Sequence, residues 1–478
     1  MLMLLPALVC FLAGLILPRI AVRRARNLLS CCAALISCGL LGWIALQGPR
    51  PEWTLLRVTS AFSLSFRVDE VNRIFLLLIA FLWPPAVLYS LEYMEHEERE
   101  PRFFAFYTLS CGVTQLLVLS ANLFTLYCFY EVLTLVTLPL VTHKEDPDSL
   151  RAGLTYLKYT IGGSALGLIG VIALSHFGAS GSFVPGGLLS GEMREADLLR
   201  GVWAVSFLGF GAKAALFPLS PWLPRASVAP TPVTAMLHAV AVVNAGVFAC
   251  LRLTADCFGF SLLAGSRAQA FISLLSAFTI LFGAVLAVRE HHLKRRLAWS
   301  TVYHLSYMLF ALSLMTPAGL EAALTHLVFH GLMKITLFFC AGAFLVRGEA
   351  EYLSDLRGLG RRMPWTVGVY TLAGLALTGI PPLIGFLSKW AILSAAVSSG
   401  TWIAWTGAAA VILSSVLASV YLLEPAVRML FLTPGEKPAS DPSLRMLLPL
   451  GILAVCLVLF GIWPDPLRSL LQAASALY

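Results

Sequence analysis

Charged residues are scarce in this sequence of 478 residues. They make up 12% of the chain, and 59% of the residues are hydrophobic, whereas a soluble domain carries about 25% charged residues. Apolar runs of about 20 residues, each long enough to cross the hydrocarbon core of a bilayer, recur along the chain. The sequence therefore predicts an all-α, polytopic membrane protein. Its net charge of +8 then reflects membrane topology and does not indicate a nucleic-acid partner.

Cofactor and nucleotide motifs are missing as well. The ten cysteines form no C-x-x-C pair, so the spacings of iron–sulfur, haem-attachment and zinc-ribbon sites are excluded. The sequence also has no G-x-G-x-x-G fingerprint and no Walker loop. We therefore expect no bound cofactor or metal and no nucleotide hydrolysis, so that energy comes from an ion gradient or from a partner protein.

Loops long enough to form a second domain are absent too. We predict a single membrane domain over residues 1–478, with N-terminal helices (1–100), a first repeat (101–252), a second repeat (265–430) and a last helix (446–464). About fourteen membrane spans are expected, at residues 2–18, 28–47, 71–91, 103–120, 122–141, 152–177, 201–219, 229–251, 268–288, 297–315, 319–345, 365–398, 402–427 and 446–464.

Lysine and arginine are concentrated in alternate loops of this arrangement. Because cytoplasmic loops carry an excess of these residues, the pattern predicts that both termini lie on the non-cytoplasmic side of a cell inner membrane. The first apolar run is followed, and not preceded, by basic residues, which argues against a cleaved signal peptide. The basic run Lys294, Arg295 and Arg296 falls in a cytoplasmic loop, where solvated charge is the simplest interpretation.

Two of the predicted spans contain prolines that predict broken helices. Pro218 and Pro221 lie at the end of the seventh span, and Pro381 and Pro382 lie inside the twelfth. Proline removes a backbone donor and clashes with the preceding turn. Broken backbone at membrane depth is tolerated only beside protein or a hydrated cavity. Similar breaks in two halves of a chain are typical of inverted-repeat transporters.

Glu131, Lys213, Lys334 and Lys389 each lie deep in a different apolar span. A charge at the bilayer centre costs about 2.5–3.5 kcal/mol, and such residues usually mark an ion or proton pathway. Simpler interpretations are a protonated, hydrogen-bonded Glu131 and a Lys213 whose ammonium reaches the interface. An ion pair between Glu131 and Lys213 would keep both charged. Lys158, near the end of its span, is interpreted as an interfacial anchor.

Histidines accompany one of these lysines. His326, His330 and Lys334 are spaced four residues apart, which places them on one helix face. Two histidines at this spacing are also compatible with a metal site, but no carboxylate or cysteine accompanies them. A proton relay fits better, because imidazole titrates near pH 6.5. His238, alone on the eighth span, is either a packing histidine or a member of the relay.

The motifs around these residues resemble the antiporter-like subunits of respiratory complex I, Mrp-type sodium/proton antiporters and energy-converting hydrogenases. The resemblance covers roughly residues 70–430. Its motifs are GAKAALFPLSPWLP (211–224), APTPVTAMLHAVAVVNAGV (229–247), LKRRLAWSTV (293–302), the His326, His330, Lys334 series and GIPPLIGFLSK (379–389).

The resemblance implies fourteen helices that contain two inverted five-helix repeats. It also implies that Glu131 is the fifth-helix glutamate, Lys213 the seventh-helix lysine and Lys389 the twelfth-helix charge. The relay residues would then be the central His/Lys series, and His238 would match a histidine found in some members. Some relatives carry glutamate where this chain has Lys389, so the chain resembles the lysine-bearing branch.

We therefore expect a proton-translocating subunit of a multisubunit ion-pumping complex, with other membrane subunits as partners. Two alternatives stay open at this point. One is a subunit of a sodium/proton antiporter, for which Glu131 is the clear oxygen ligand at membrane depth. The other is a quinone-linked oxidoreductase membrane subunit, against which the missing cofactor motifs argue.

Overall fold

The chain folds as a bundle of long helices in the computed structural model, which describes residues 2–59, 61–178, 181–189, 191–433 and 438–478. The first helices are α1 (Leu5–Ile16), α2 (Arg23–Leu46), α3 (Glu70–Tyr93), α4 (Glu100–Leu119), α5 (Leu123–Val141) and α6 (Pro147–Phe177). The middle helices are α7 (Ala196–Gly211), α8 (Trp222–Arg225), α9 (Thr231–Ala239), α10 (Val242–Leu251), α11 (Phe260–Leu263), α12 (Arg267–Arg289) and α13 (Leu293–Leu312). The last are α14 (Pro317–Gly348), α15 (Pro364–Thr378), α16 (Ile384–Ser399), α17 (Trp402–Phe431), α18 (Leu444–Ile462) and α19 (Asp465–Ser475).

Eleven helices in the described part of the chain are long and apolar enough to cross a membrane. The remaining predicted spans correspond to α7, to α13 with its basic first turn, and to the pair α15 and α16. The predicted polytopic helical fold is confirmed, and the number of fourteen spans stays a prediction.

Helix α14 lies at the centre of the bundle. It runs for 32 residues and contacts α9, α13, α15 and α16. The apolar part of α14 is buried along its whole length, as is that of the segment from α9 through α10. Helices that are apolar on all sides are buried in this way. The outer helices α2, α6, α12 and α17 are buried on one face and expose apolar side chains on the other.

Both predicted helix breaks are present, and a third occurs in the eighth span. Helix α7 ends at Gly211, well before Pro218 and Pro221, and the backbone stays non-helical over residues 212–221. Pro381 and Pro382 lie between α15 and α16. The eighth span, predicted as one helix over 229–251, is divided between α9 and α10. The Asn244 side chain donates to the Ala239 carbonyl oxygen at 2.7 Å across this break.

A small hairpin interrupts the helices near the N-terminus. Strands β1 (Arg50–Arg57) and β2 (Ser63–Val68) pair antiparallel in a segment that the sequence predicts as a loop. Phe66 and Val68 are buried, and the Ser65 amide donates to Thr125 at the start of α5. The alternation of side chains over 63–68 is the local signal for this strand.

Several chain segments meet at one end of the bundle and form a surface that we call the loop face. It consists of residues 94–99, 142–146, 290–292 and 349–363. Ion pairs of Glu145 with Arg99 and of Lys144 with Glu97 join the first two segments. The His292 ring and the Glu351 carboxylate, 3.0 Å apart, join the other two.

Candidate functional site

Lys213 lies where the chain leaves helix α7, as the second residue of the non-helical segment 212–221. Its side chain is fully buried. The ammonium group donates to the backbone oxygen of Tyr130 and lies 3.4 Å from the centre of the Tyr130 ring. A carbonyl oxygen and an aromatic face both stabilise a buried cation. Tyr130 therefore positions the lysine at the helix break.

Glu131 follows Tyr130 on α5 and is half-buried. Its Oε1 atom is closed to solvent and accepts no hydrogen bond from the described residues. No ion pair within 4.0 Å joins Glu131 to Lys213 in this part of the chain, although the carboxylate acts on the lysine electrostatically. The expected pair is therefore not a direct contact, because Tyr130 accepts the hydrogen bond from Lys213.

Lys334 is fully buried on α14 and points at helix α13. Its ammonium group donates to the Leu297 carbonyl oxygen at 3.1 Å and to the Ser300 hydroxyl. His326 and His330 are also fully buried, and their rings lie 6.0 Å apart. The spacing of four residues thus places all three side chains along one line inside the bundle.

His304 on α13 is a member of this line that the sequence analysis missed. Its Nδ1 atom lies 3.0 Å from Nε2 of His326, and the two rings are nearly parallel at 5.2 Å. The His330 ring lies 5.6 Å from His304. The signal available in the sequence is a histidine inside an apolar span, two residues after the LKRRLAWSTV motif.

The line continues from His326 to Lys389. The Nδ1 atom of His326 lies 3.0 Å from the Ser388 hydroxyl, and Lys389 is the next residue on α16. Lys389 donates to the Thr378 carbonyl oxygen at 2.8 Å, across the helix break, and to the Ser415 hydroxyl at 2.9 Å. A cleft of about 320 Å³ opens beside Lys389 at this break. Lys389 therefore ends the buried line at an opening.

His238 occupies the other side of Lys334. It lies on α9, two residues before the third break, and its Nδ1 atom is 3.0 Å from the Thr301 hydroxyl. Thr301 donates to the Leu297 carbonyl oxygen, which also accepts from Lys334. His238 thus lies beside the line of buried side chains that includes Lys334.

Lys294 is not the solvated loop charge that the sequence suggests. It is the second residue of α13 and only 5% exposed, while its neighbour Arg295 is exposed. Arg296 is buried and pairs with Glu424 at 2.7 Å. These differences arise because α13 begins inside the bundle and turns its basic residues to different sides.

Several buried nitrogen atoms of the histidines have no hydrogen-bond partner among the described residues. They are His238 Nε2, His304 Nε2 and both ring nitrogens of His330. An unsatisfied buried polar atom costs about 1–3 kcal/mol, and ordered water normally occupies such positions. Neutral imidazole offers one donor and one acceptor. With water between them, these groups can therefore pass protons along the line from His238 to Lys389.

The sequence matches two protein-family models. The model described as "NADH:quinone oxidoreductase/Mrp antiporter, TM" matches residues 120–417, which is more than half of the chain. The model described as "NADH-Ubiquinone oxidoreductase (complex I), chain 5 N-terminus" matches residues 55–104. The chain belongs to the NADH:quinone oxidoreductase/Mrp antiporter family. The resemblance seen in the sequence motifs is thereby confirmed.

Two curated relatives illustrate the range of this family. "Hydrogenase-4 component B" of Escherichia coli (strain K12) is 33% identical over 345 residues, covering 68% of this chain and 50% of the relative. "NADH-quinone oxidoreductase subunit L" of Mycobacterium tuberculosis is 30% identical over 403 residues, covering 83% of this chain and 62% of the relative. The chain thus spans between 50% and 62% of the length of these relatives.

Solved structures share the fold of this family member. The membrane-bound sulfane sulfur reductase, an archaeal respiratory membrane complex, contains a chain that superimposes with a TM-score of 0.87 at 22% identity, covering 100% of this chain and 96% of that one. A chain of the Mrp complex from Dietzia sp. DQ12-45-1b gives 0.86 at 20% identity, covering 99% and 96%. These likenesses confirm a polytopic, antiporter-type helical fold.

Proposed function

We propose that the chain is the antiporter-like, proton-translocating subunit of a multisubunit ion-pumping membrane complex. The observation that carries this proposal is the line of buried side chains that runs from Lys334 past His330, His304 and His326 to Lys389. Buried ionisable groups in a membrane protein are costly and are retained where charge moves. A single such group would fit a structural role, whereas a contiguous line ending at a cleft supports transport.

In the proposed route, protons enter from the cytoplasmic side near the seventh span and load Lys213. They pass laterally through the buried histidines and Lys334 and leave from Lys389 through the cleft beside it. Glu131 tunes the affinity of Lys213 for a proton by acting on it electrostatically. Because Lys213 contacts Tyr130 directly, a small movement of α5 relative to segment 212–221 would change both interactions at once.

The orientation and the partners belong to the same proposal. The loop face is cytoplasmic and both termini lie on the opposite side of a cell inner membrane, which the distribution of lysine and arginine over all the loops supports. Residues 101–252 and 265–430 form the two inverted repeats, each with one proline break. Other membrane subunits are the partners, since the relatives named above are components or subunits of larger assemblies.

Proton flux in proteoliposomes tests this function. The complex, isolated through a tag on this chain, is reconstituted and driven by a potassium diffusion potential, and a pH-sensitive dye inside the vesicles reports proton movement. Lys334→Met and Lys389→Met are expected to lower the flux by at least about tenfold, because each removes a proton-carrying group. Lys158→Met, at an exposed position on α6, is the matched control. Unchanged flux in both test variants would exclude the proposal.

The same vesicles separate proton translocation from cation/proton exchange. Sodium prefers oxygen ligands, and Glu131 is the only carboxylate among the residues proposed for the pathway. We therefore expect flux that does not depend on sodium in the wild-type complex. The opposite result would be a proton flux that requires sodium in the wild-type complex and no longer requires it in Glu131→Gln. That result would establish a sodium/proton antiporter subunit.

A further inference from the structure

Three arginines from separate elements line one cleft at the end of the bundle that carries the loop face. Arg151 is the fifth residue of α6, Arg225 ends α8, and Arg295 is the third residue of α13. Together with Asp148 they line a cleft of about 290 Å³, which we call the arginine cleft. Because α6 and α13 both begin where segments of the loop face end, the cleft lies beside that face.

The positive charge of the arginine cleft is not neutralised by neighbouring carboxylates. The side chains of Arg225 and Arg295 are exposed and form no hydrogen bond or ion pair with the described residues. Arg151 lies 3.7 Å from Asp148, but these side chains are 80% and 82% exposed, so the pair contributes little. The first turn of α13 has no acidic residue, and its helix dipole adds positive potential. The cleft therefore attracts an anion.

Aromatic side chains extend from the arginine cleft along the outside of the bundle. Trp299 lies one turn after Arg295 on α13, so the two side chains share one helix face. The Trp299 ring lies 6.0 Å from the Phe282 ring. Phe217 lies 5.3 Å from Phe282 and 4.9 Å from Phe278. These four residues, which are all at least partly exposed, form what we call the aromatic strip.

The aromatic strip leads toward the middle of the membrane. Helix α12 ends at Arg289, next to segment 290–292 of the loop face. With a rise of 1.5 Å per residue, Phe282 lies about 10 Å and Phe278 about 16 Å from this helix end. These are depths at which the acyl chains of a lipid lie. A cationic cleft at the membrane surface thus continues into an apolar strip within the hydrocarbon.

An anionic phospholipid fits both parts of this surface. The planar guanidinium group matches the oxygens of a phosphate group, and an acyl chain would cover the aromatic rings. Free phosphate or an acidic peptide would use the cleft and leave the strip uncovered. Anionic lipids are concentrated in the cytoplasmic leaflet, where basic pockets between membrane helices bind their headgroups.

We propose that the arginine cleft binds the phosphate group of an anionic phospholipid of the cytoplasmic leaflet, and that an acyl chain of this lipid covers the aromatic strip. The leaflet follows from the orientation proposed above, whereas the binding itself does not depend on proton translocation. Because Phe217 belongs to segment 212–221, the lipid also contacts the helix break that carries Lys213.

Photo-crosslinking of the intact complex tests this site. The complex, isolated in detergent through a tag on this chain, is mixed with phosphatidylglycerol that carries a diazirine on one acyl chain. Peptide mass spectrometry then maps the crosslinked residues. We expect crosslinks on segment 212–221 and on α12 between Phe278 and Phe282. Their yield should exceed that of phosphatidylcholine with the same diazirine at least about fivefold, because the arginines repel the choline group.

Paired variants test the role of the arginines. Arg225→Gln combined with Arg295→Gln is expected to lower the yield of these crosslinks at least about tenfold, because two of the three guanidinium groups are lost. The matched control is Arg357→Gln combined with Arg361→Gln, which removes two exposed arginines of the loop face that lie outside the cleft. This control should crosslink as the wild type does. Native gel electrophoresis verifies that each complex assembles.

Four results would overturn the inference. Equal yields with phosphatidylglycerol and phosphatidylcholine would show that the headgroup is not recognised, and this comparison needs no variant. Equal yields in the two paired variants would exclude the arginines. Displacement of the lipid by an equal concentration of inorganic phosphate would indicate a general anion site. Protein crosslinks that place an acidic segment of another subunit in the cleft would indicate a protein interface. Proton flux enters none of these measurements, so the proposed function is tested separately.

Discussion

At the scale of single residues, the contact between His304 and His326 has a direction. A neutral imidazole carries one proton, so one ring donates and the other accepts across the 3.0 Å contact. His326 contacts Ser388 through its second nitrogen, whereas the second nitrogen of His304 has no partner among the described residues. A proton that arrives at Nε2 of His304 can therefore pass from Nδ1 of His304 to Nε2 of His326 and from Nδ1 of His326 toward Ser388. Both rings then carry their proton on the other nitrogen and must return to the first form before the next proton moves.

His304→Gln is expected to lower proton flux by at least about tenfold, because an amide does not change its protonation state in this pH range. The measurement is dye-monitored flux in proteoliposomes. His176→Gln serves as the control, since His176 lies exposed at the end of α6. Flux in His304→Gln that equals this control would show that the relay runs past His304 without using it.

At the scale of helices, a titratable side chain lies at each of the three breaks: Lys213 after α7, His238 before the break between α9 and α10, and Lys389 at the break between α15 and α16. The clearest case is the break between α15 and α16. Gly379 ends α15 with a φ of +95°, and a Cβ atom added there would lie 3.0 Å from Cδ of Lys389. Glycine is required at position 379 for two reasons. A side chain would strain the backbone, and it would also crowd the Lys389 side chain.

Gly379→Ala is therefore expected to destabilise the break by about 1 kcal/mol and to displace Lys389 from the Thr378 oxygen. Thermal unfolding of the detergent-solubilised complex and proton flux are both measured, and both should decrease. Gly368→Ala on the same helix α15 is the control, since a Cβ atom there meets nothing within 4 Å. That variant should keep full flux, and wild-type behaviour of Gly379→Ala would contradict our account of the break.

At the scale of the whole molecule, a buried charge cluster joins segments that are far apart in sequence. Arg252 pairs with Asp69 at 2.6 Å and with Asp256 at 2.6 Å, and Tyr478 donates to Asp256. Arg67 binds Asp69 and the Phe183 carbonyl oxygen. Two guanidinium groups, those of Arg252 and Arg67, thus hold together the hairpin, the start of α3, the end of the eighth span and Tyr478.

Asp69 should make the stability of this cluster depend on pH. Burial alone would raise the pKa of Asp69, but the Arg252 and Arg67 guanidinium groups outweigh it and lower the pKa. Because the pKa is lower in the folded state, this stabilisation is complete above the unfolded value of about 4 and is lost as the pH falls below it.

Asp69→Asn is expected to lower the free energy of unfolding at pH 7 by roughly 2–3 kcal/mol, since it leaves Arg252 with one charged partner fewer. It should also flatten the decline in stability below about pH 4. Thermal unfolding at several pH values measures both effects. Asp197→Asn is the control, because that carboxylate is 98% exposed beside Arg200. An identical acid response of the two variants would refute the role of Asp69.

The class of protein, and most side chains of the buried line, could be predicted without any knowledge of the fold. Composition established a polytopic membrane protein, prolines marked two helix breaks, and the spacing of four residues placed His326, His330 and Lys334 on one face. These features depend on local chemistry: hydrophobicity, the missing proline donor and the helical repeat. Local rules of this kind need no knowledge of how the helices pack.

Which of these residues contact one another depends on how the helices pack. Only helix packing brings His304 beside His326, buries Lys294 against Ala229, places Lys213 against Tyr130, and gathers Arg252 with its distant partners. Each contact joins residues on different chain segments, more than 20 positions apart in the chain. One sequence shows what each side chain can do, but the distance between side chains on different helices is set by the packed bundle.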